Sequence, residues 1–268
     1  MKKALPVILF GASLGVLVPS FSMANGHSSD SKHDHYVSFS YGIVRQDDSN
    51  NDGNFTSDFS TGVVTGVPAP LAIPSGADVG WDTDFDRGDA FTLALGKRYG
   101  AWRYELEYSQ TSSDVDSHQG VNAAGIGLDA IDVGVLISGN VGDVGATTGA
   151  IVADGRGEIE ASTLMVSANY DWEIEGPLTP FVGIGVGYSK VDVNYEPSGI
   201  EIIDDDDSVF VYQLMAGASY DIQHNLSAVL TIRYRDGSDA EVDATLIPAE
   251  FEIENSSLIY DLGLRYWF

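Results

Sequence analysis

Ten charged side chains stand where charge is least expected, inside segments that otherwise alternate apolar with small residues. They are Arg98, Arg103, Arg233, Arg235 and Arg265 against Glu105, Glu107, Asp171, Asp221 and Asp261. On the inner face of a closed sheet they would neutralise one another as buried ion pairs, forming either a rigid plug or a salt-bridge gate on a narrow pore. The neighbouring glycines Gly183, Gly185 and Gly187 would leave room for the long guanidinium stems. A second group is purely acidic: Asp47, Asp48 and Asp52; Asp78, Asp82, Asp84 and Asp86; Asp204 to Asp207; Asp236, Asp239, Glu241 and Asp243. Such carboxylates could recruit Ca²⁺ or Mg²⁺. The run Asp48-Ser-Asn50-Asn-Asp52-Gly53 begins like a calcium loop, but Phe59 stands where the bidentate Glu belongs. No cofactor is therefore expected beyond divalent cations at the acidic loops.

The histidines give little support for catalysis. His118 lies near Ser112, Ser113, Asp114 and Asp116, but in a stretch that reads as an external loop with no strand-fixed partner, so no enzyme is expected. The start of the chain carries a different signal. Lys2 and Lys3, the apolar run from Ala4 to Val18, and Ser22-Met23-Ala24 read as a signal peptide over residues 1–24. Cleavage after Ala24 would expose Asn25-Gly26-His27, whose amine, two amides and imidazole suit square-planar Cu(II) or Ni(II), with His33 and His35 close by. Residues 25–35 then form a polar leader.

Composition narrows the classes further. The 268 residues contain no cysteine, which excludes disulfide scaffolds, thiolate metal sites and thiol catalysis. With 13 Lys and Arg against 40 Asp and Glu, the formal charge of -27 repels a phosphate backbone, so no nucleic-acid partner is expected.

What must position these groups is a set of strands with two-residue alternation. Val37 to Ile43, Phe91 to Tyr99, Trp102 to Ser109, Leu164 to Trp172, Val182 to Ser189, Phe210 to Asp221, Ala228 to Arg235 and Leu258 to Phe268 make eight. Short turns follow the second, fourth and sixth, and long acidic links follow the first, third, fifth and seventh. Tyr99, Trp102, Tyr170, Trp172, Tyr220 and Tyr266 all sit near the short turns, as an interfacial girdle requires. This pattern predicts an all-β fold over residues 36–268: an eight-stranded antiparallel up-and-down transmembrane β-barrel with long extracellular loops, short periplasmic turns and a periplasmic N-terminus. A soluble sandwich would show the same alternation without the girdle.

The ending Tyr260-Asp-Leu-Gly-Leu-Arg-Tyr-Trp-Phe268 resembles the C-terminal signature of outer-membrane barrels. In that signature Tyr260, Leu262, Leu264, Tyr266 and Phe268 would be read by the barrel-assembly machinery. The runs Thr179 to Tyr188 and Phe210 to Asp221 are similar to central strands of the OmpA-like and opacity-protein families of eight-stranded surface barrels. The resemblance implies a non-enzymatic surface protein of a Gram-negative outer membrane, acting in surface interaction, adhesion or envelope integrity. Its partners would be outer-membrane lipid, lipopolysaccharide and an extracellular protein or glycan. A narrow gated pore or transporter is the alternative, and no periplasmic domain of the OmpA type is expected after the barrel. The links at Gly62 to Pro70 and Ala123 to Val152 are unusually apolar, so they are expected to pack as extracellular β-ribbon or to bind a partner.

Overall fold

The structure is a computed structural model and describes residues 34–67 and 70–268. The expected signal peptide, His27, His33 and the four-nitrogen copper motif lie outside the described residues. The barrel strands are β1 (His35–Gln46), β2 (Arg87–Tyr99), β3 (Trp102–Ala123), β4 (Gly157–Asp171), β5 (Leu178–Tyr195), β6 (Ile203–Gln223), β7 (Leu226–Gly237) and β8 (Ser257–Trp267). Each pairs antiparallel with the next. The ladder returns to its start because β8 pairs with β1, from Val37 opposite Tyr266 to Gln46 opposite Ser257. Eight strands thus close on themselves. The tight turn between β2 and β3 is made by Gly100 and Ala101, with Gly100 at φ +63°, a conformation that favours glycine.

Outward-facing residues form a continuous apolar wall. Leu95, Leu106, Leu164, Ile184, Leu214, Leu230 and Leu262 are all exposed. In water such a belt would drive aggregation; against lipid it is the barrel's solvent-facing surface. At the short-turn end Trp102 packs on Tyr170 at 5.1 Å between ring centroids, and Tyr170 on Trp172 at 5.6 Å.

Strand length exceeds what a membrane needs. A tilted strand crosses in about 9–11 residues, whereas β3 has 22, β5 has 18 and β6 has 21. The surplus projects from the long-loop end, and there the polarity of the wall inverts. On β5, Val182, Ile184, Val186 and Tyr188 point outward, but Val191, Val193 and Tyr195 point inward. Apolar residues change from even to odd positions, so the same alternation that gives a lipid-facing wall below gives a water-facing wall above.

Four further strands complete this extracellular wall. Ala240–Asp243, Ala249–Ile253, Ser49–Phe55 and Asp78–Phe85 pair in that order, and the last pairs with the upper part of β3. A bridge from Ala244 to Ile203 ties the other edge to β6. Inside lie Phe55, Trp81, Val115, Val193, Tyr195, Phe251 and Ile253 in one apolar core. Burying each such large side chain contributes about 1.5–3 kcal/mol.

The regions expected to be long loops are therefore sheet in part, while residues 128–156 between β3 and β4 hold only a short 3-10 turn at Val133–Leu136 and a helix at Thr148–Val152. Residues Gly62 to Val67 do not make a ribbon but pack on the segment after Ala123. Val64, Val67 and Val135 form a small cluster, and Gly62 N donates to Val135 O at 2.9 Å. Asp132 organises that segment by accepting from Gly134 N, Val144 N and Gly145 N. Those backbone donors, Val144 first, hold its carboxyl below the usual aspartate range.

Candidate functional site

Two constellations emerge, one in each half of the barrel. In the membrane half, alternation turns Arg103, Glu105, Glu107, Asp171, Arg233, Arg235, Asp261 and Arg265 inward, all of them buried. Four cations face four carboxylates, so the lumen carries no net charge. Arg103 Nε donates to both carboxylate oxygens of Asp171, at 2.9 and 2.8 Å, while its Nη1 donates to Glu105 at 2.6 Å. The Tyr36 hydroxyl donates to the same glutamate. Arg265 lies over the Tyr36 ring at 4.8 Å and reaches Glu105 at 3.8 Å. Higher up, Arg233 bridges two acids, donating from Nη1 to Glu107 at 2.7 Å with Nε 2.9 Å from Asp261. Arg235 donates to Thr163, Ser109 and Gln213, closing the polar lumen beneath the apolar core.

This packing leaves little space. The lumen cavity beside Ser40, Glu105, Thr231 and Arg233 holds about 20 Å³, enough for one or two waters at roughly 10–15 Å³ each. The glycines do not accommodate arginine stems as expected. A Cβ on Gly183 would lie 2.1 Å from Asn169 Oδ1, and one on Gly185 2.6 Å from Met165 Sδ. Gly96 instead makes room for the Tyr36 ring.

Two of the ten charges fall elsewhere. Arg98 is half-buried at the rim, 3.7 Å from Asp171 and stacked over Trp267 at 4.3 Å. Asp221 is exposed beside the β6–β7 turn, where a register shift between Asp221 and Gln223 ends regular alternation, and it accepts from Ser227. Leu262, Leu264, Tyr266 and Phe268 form the lipid-facing row of β8 and the chain end, with Tyr260 half-buried in the same row. Phe268 N donates to His35 O at 2.9 Å.

The calcium-loop reading of Asp48, Asn50 and Asp52 is corrected by the fold. Ser49–Phe55 is an extended strand, so these residues stand in a row along its outer face, with Asn50 donating to Asp52. An extended segment cannot wrap several oxygens around one ion at about 2.3–2.6 Å. Among the described residues no group of three or more His, Cys, Asp or Glu is arranged to hold a metal.

The second constellation centres on His118, which is not in a loop. It lies on β3 opposite Thr83. Simple alternation would point it outward with Asp114 and Asp116, but the ladder advances two residues on β3, Val115 to Ser117, against one on its partner, Phe85 to Asp84. This bulge turns His118 inward, and a second irregularity at Gly120, φ +70°, restores Val121 to the core.

Thr83 Oγ1 accepts from Asn51 Nδ2 at 2.6 Å and from Trp81 Nε1 at 3.2 Å, and lies 2.8 Å from His118 Nδ1. Asn51 and Trp81 can only donate there, so the hydroxyl proton must go to His118. This fixes the imidazole as neutral, with Nδ1 the acceptor and the proton on Nε2. Burial pushes its pKa down to about 4. Nε2 is buried without a hydrogen-bond partner, and the ring of Tyr195 meets His118 edge-on at 4.8 Å. Burial raises the Tyr195 pKa.

Outside the wall, Glu160, Asp192 and Asp206 stand directly opposite one another across β4, β5 and β6. With Glu158, Asp204 and Asp205 they line an acidic groove of about 280 Å³. Lys190 bridges Asp192 and Asp206. Glu158 is raised above the usual glutamate range by burial and by the charges of Glu160 and Asp114.

A closed antiparallel barrel of eight strands with an apolar outer wall and a charged interior defines an outer-membrane β-barrel. The sequence agrees: residues 13–252 match the outer membrane protein beta-barrel domain, and the chain belongs to that family. It is a protein of the Gram-negative outer membrane, and in such barrels the long connections are extracellular and the short turns periplasmic. No curated protein matches the sequence. Solved structures that resemble it include Neisserial surface protein A, 13% identical, TM-score 0.45, covering 87% of this chain and 97% of that one. OprG from Pseudomonas aeruginosa is 12% identical, TM-score 0.48, covering 88% and 97%. The outer membrane protease OmpT from Escherichia coli is 10% identical, TM-score 0.42, covering 90% and 99%. At these scores the neighbours carry no argument about activity.

Proposed function

We propose that the membrane half is a closed, non-conducting anchor and that function resides in the folded extracellular half, as a non-enzymatic surface-interaction module. The observation that carries this is the inversion of polarity along strands about twice the length a membrane requires. An external face rich in carboxylates favours a partner of positive potential, such as a basic protein surface, and disfavours sulfated glycans. Among lipopolysaccharide phosphates the same face requires divalent cations as bridges. Against catalysis, His118 is a weak base at neutral pH, and Thr83 is fully buried with its oxygen committed to three partners.

The test is binding of fluorescent lysozyme, a basic protein, to whole cells displaying the native protein or the variant Asp192→Asn, Asp204→Asn, Asp206→Asn. These side chains lie on the outer wall, so the fold is retained. Binding should fall about tenfold or more and should fade with salt. Equal binding by native and variant cells, or binding indifferent to salt, contradicts the acidic face as the contact surface.

A further inference from the structure

The extracellular core is not filled. Beside His118 lies an apolar pocket of about 40 Å³, bounded by Trp81, Val121, Val152, Tyr195 and Ile247. Next to it lies a second of about 360 Å³, bounded by Phe55, Phe59, Val67, Ile73, Ile131 and Val135. Leu128 and Leu136 line both. The larger space lies within the roughly 300–1,000 Å³ typical of small-molecule sites. Ile126 and Leu246, about half exposed, give these pockets an apolar rim in an otherwise acidic surface.

Its chemistry is narrow. The walls are almost wholly apolar, and the polar atom left over is His118 Nε2, buried without a partner. A buried donor left unpaired is costly, and the fold goes to the length of two bulges to put this one here. The hydrogen-bond chain through Thr83 makes Nε2 a donor, so the complementary group is an acceptor. A charge would lose its hydration with no counterion to replace it.

We propose that the extracellular half binds a small uncharged apolar molecule bearing a carbonyl oxygen, of the ketone, ester or lactone class. The oxygen accepts from His118 Nε2–H in the smaller pocket, and the apolar body passes Leu128 and Leu136 into the larger one. The site is separate from the acidic outer face, so either reading can fail without the other.

The probe is prodan, a neutral naphthyl ketone that absorbs where tryptophan emits, added to the full-length protein in lipid nanodiscs. Trp81 lines the pocket, while Trp102, Trp172 and Trp267 lie at the opposite, short-turn end, so quenching of Trp81 reports occupancy rather than partition into lipid. Saturable quenching at one equivalent is expected. A long-chain methyl ketone should displace the probe at a concentration about tenfold lower than the alkane of equal length. His118→Phe should abolish that preference. Leu128→Trp, which leaves His118 and its partners untouched, should abolish saturation while heat-modifiable migration shows the barrel intact. Quenching that rises linearly as in protein-free discs, equal competition by ketone and alkane, or saturable quenching that survives Leu128→Trp overturns the proposal.

Discussion

Replacing Arg233 with Ala removes a side chain that bridges two buried acids. Its Nη1 is 2.7 Å from Glu107 and its Nε 2.9 Å from Asp261, and both carboxylates are buried. Arg235 lies 3.6 Å from Glu107 and compensates in part, but it offers nothing comparable to Asp261. Breaking a buried pair from one side costs about 3–5 kcal/mol, because the stranded charge, rather than the lost attraction, dominates. We expect about 4 kcal/mol for Arg233→Ala, measured by equilibrium urea unfolding in lipid vesicles. Arg233→Lys should cost roughly half as much, since one ammonium cannot replace a planar fork aimed at two acceptors. In an Asp261→Asn background the cost of Arg233→Ala should fall to about 2 kcal/mol, the difference being the coupling energy. A cost below about 1 kcal/mol, as for exposed pairs, or no change in the Asp261→Asn background, would refute the buried network.

Much of this was legible in the sequence, for a physical reason. Eight of the ten charges reach the lumen because strict two-residue alternation fixes their face, and the short turns fix the pairing of β2 with β3, β4 with β5 and β6 with β7. Asp221 escaped because alternation ends with the ladder, and nothing in the local residues marks that end. The extracellular strands were harder. Ser49 to Phe55 is polar and carries Asp-Gly, so it reads as a turn or an ion loop, and only pairing with Asp78–Phe85 and Ala249–Ile253 makes it a strand. A usable signal existed on β5, where apolar residues move from even positions through Tyr188 to odd positions from Val191. His118 was not recoverable, since a bulge that reverses its face depends on the partner strand.

Three further outcomes follow. Purified protein in planar bilayers should show little or no steady conductance, because the lumen cavity beside Arg233 is only about 20 Å³; large stable currents would favour the pore reading. The extracellular half should loosen in mild acid. His118 has a folded pKa of about 4 against an ordinary 6.5, so the unfolded state binds the extra proton between those values. Stability is complete above pH 6.5 and falls by roughly 3 kcal/mol as pH drops to 4. Susceptibility to an acid-active protease should rise over that window in the native chain and stay flat in His118→Gln; a flat native profile contradicts the buried neutral imidazole. Deleting Phe268, which tethers β8 to His35, should impair assembly more than deleting one loop residue, read as loss of heat-modifiable migration; normal migration would contradict this.

The central claim is that one continuous strand faces lipid below and water above, with its apolar side reversed. The chain has no cysteine, so single cysteines placed along β5 and labelled on whole cells with a membrane-impermeant maleimide test it directly. Ile184→Cys should be protected by lipid, Asp192→Cys should label rapidly, and Val193→Cys should be protected by the extracellular core. Rapid labelling of Val193→Cys together with Asp192→Cys would mean the upper segment is an open loop, and the account of a folded extracellular half would fall.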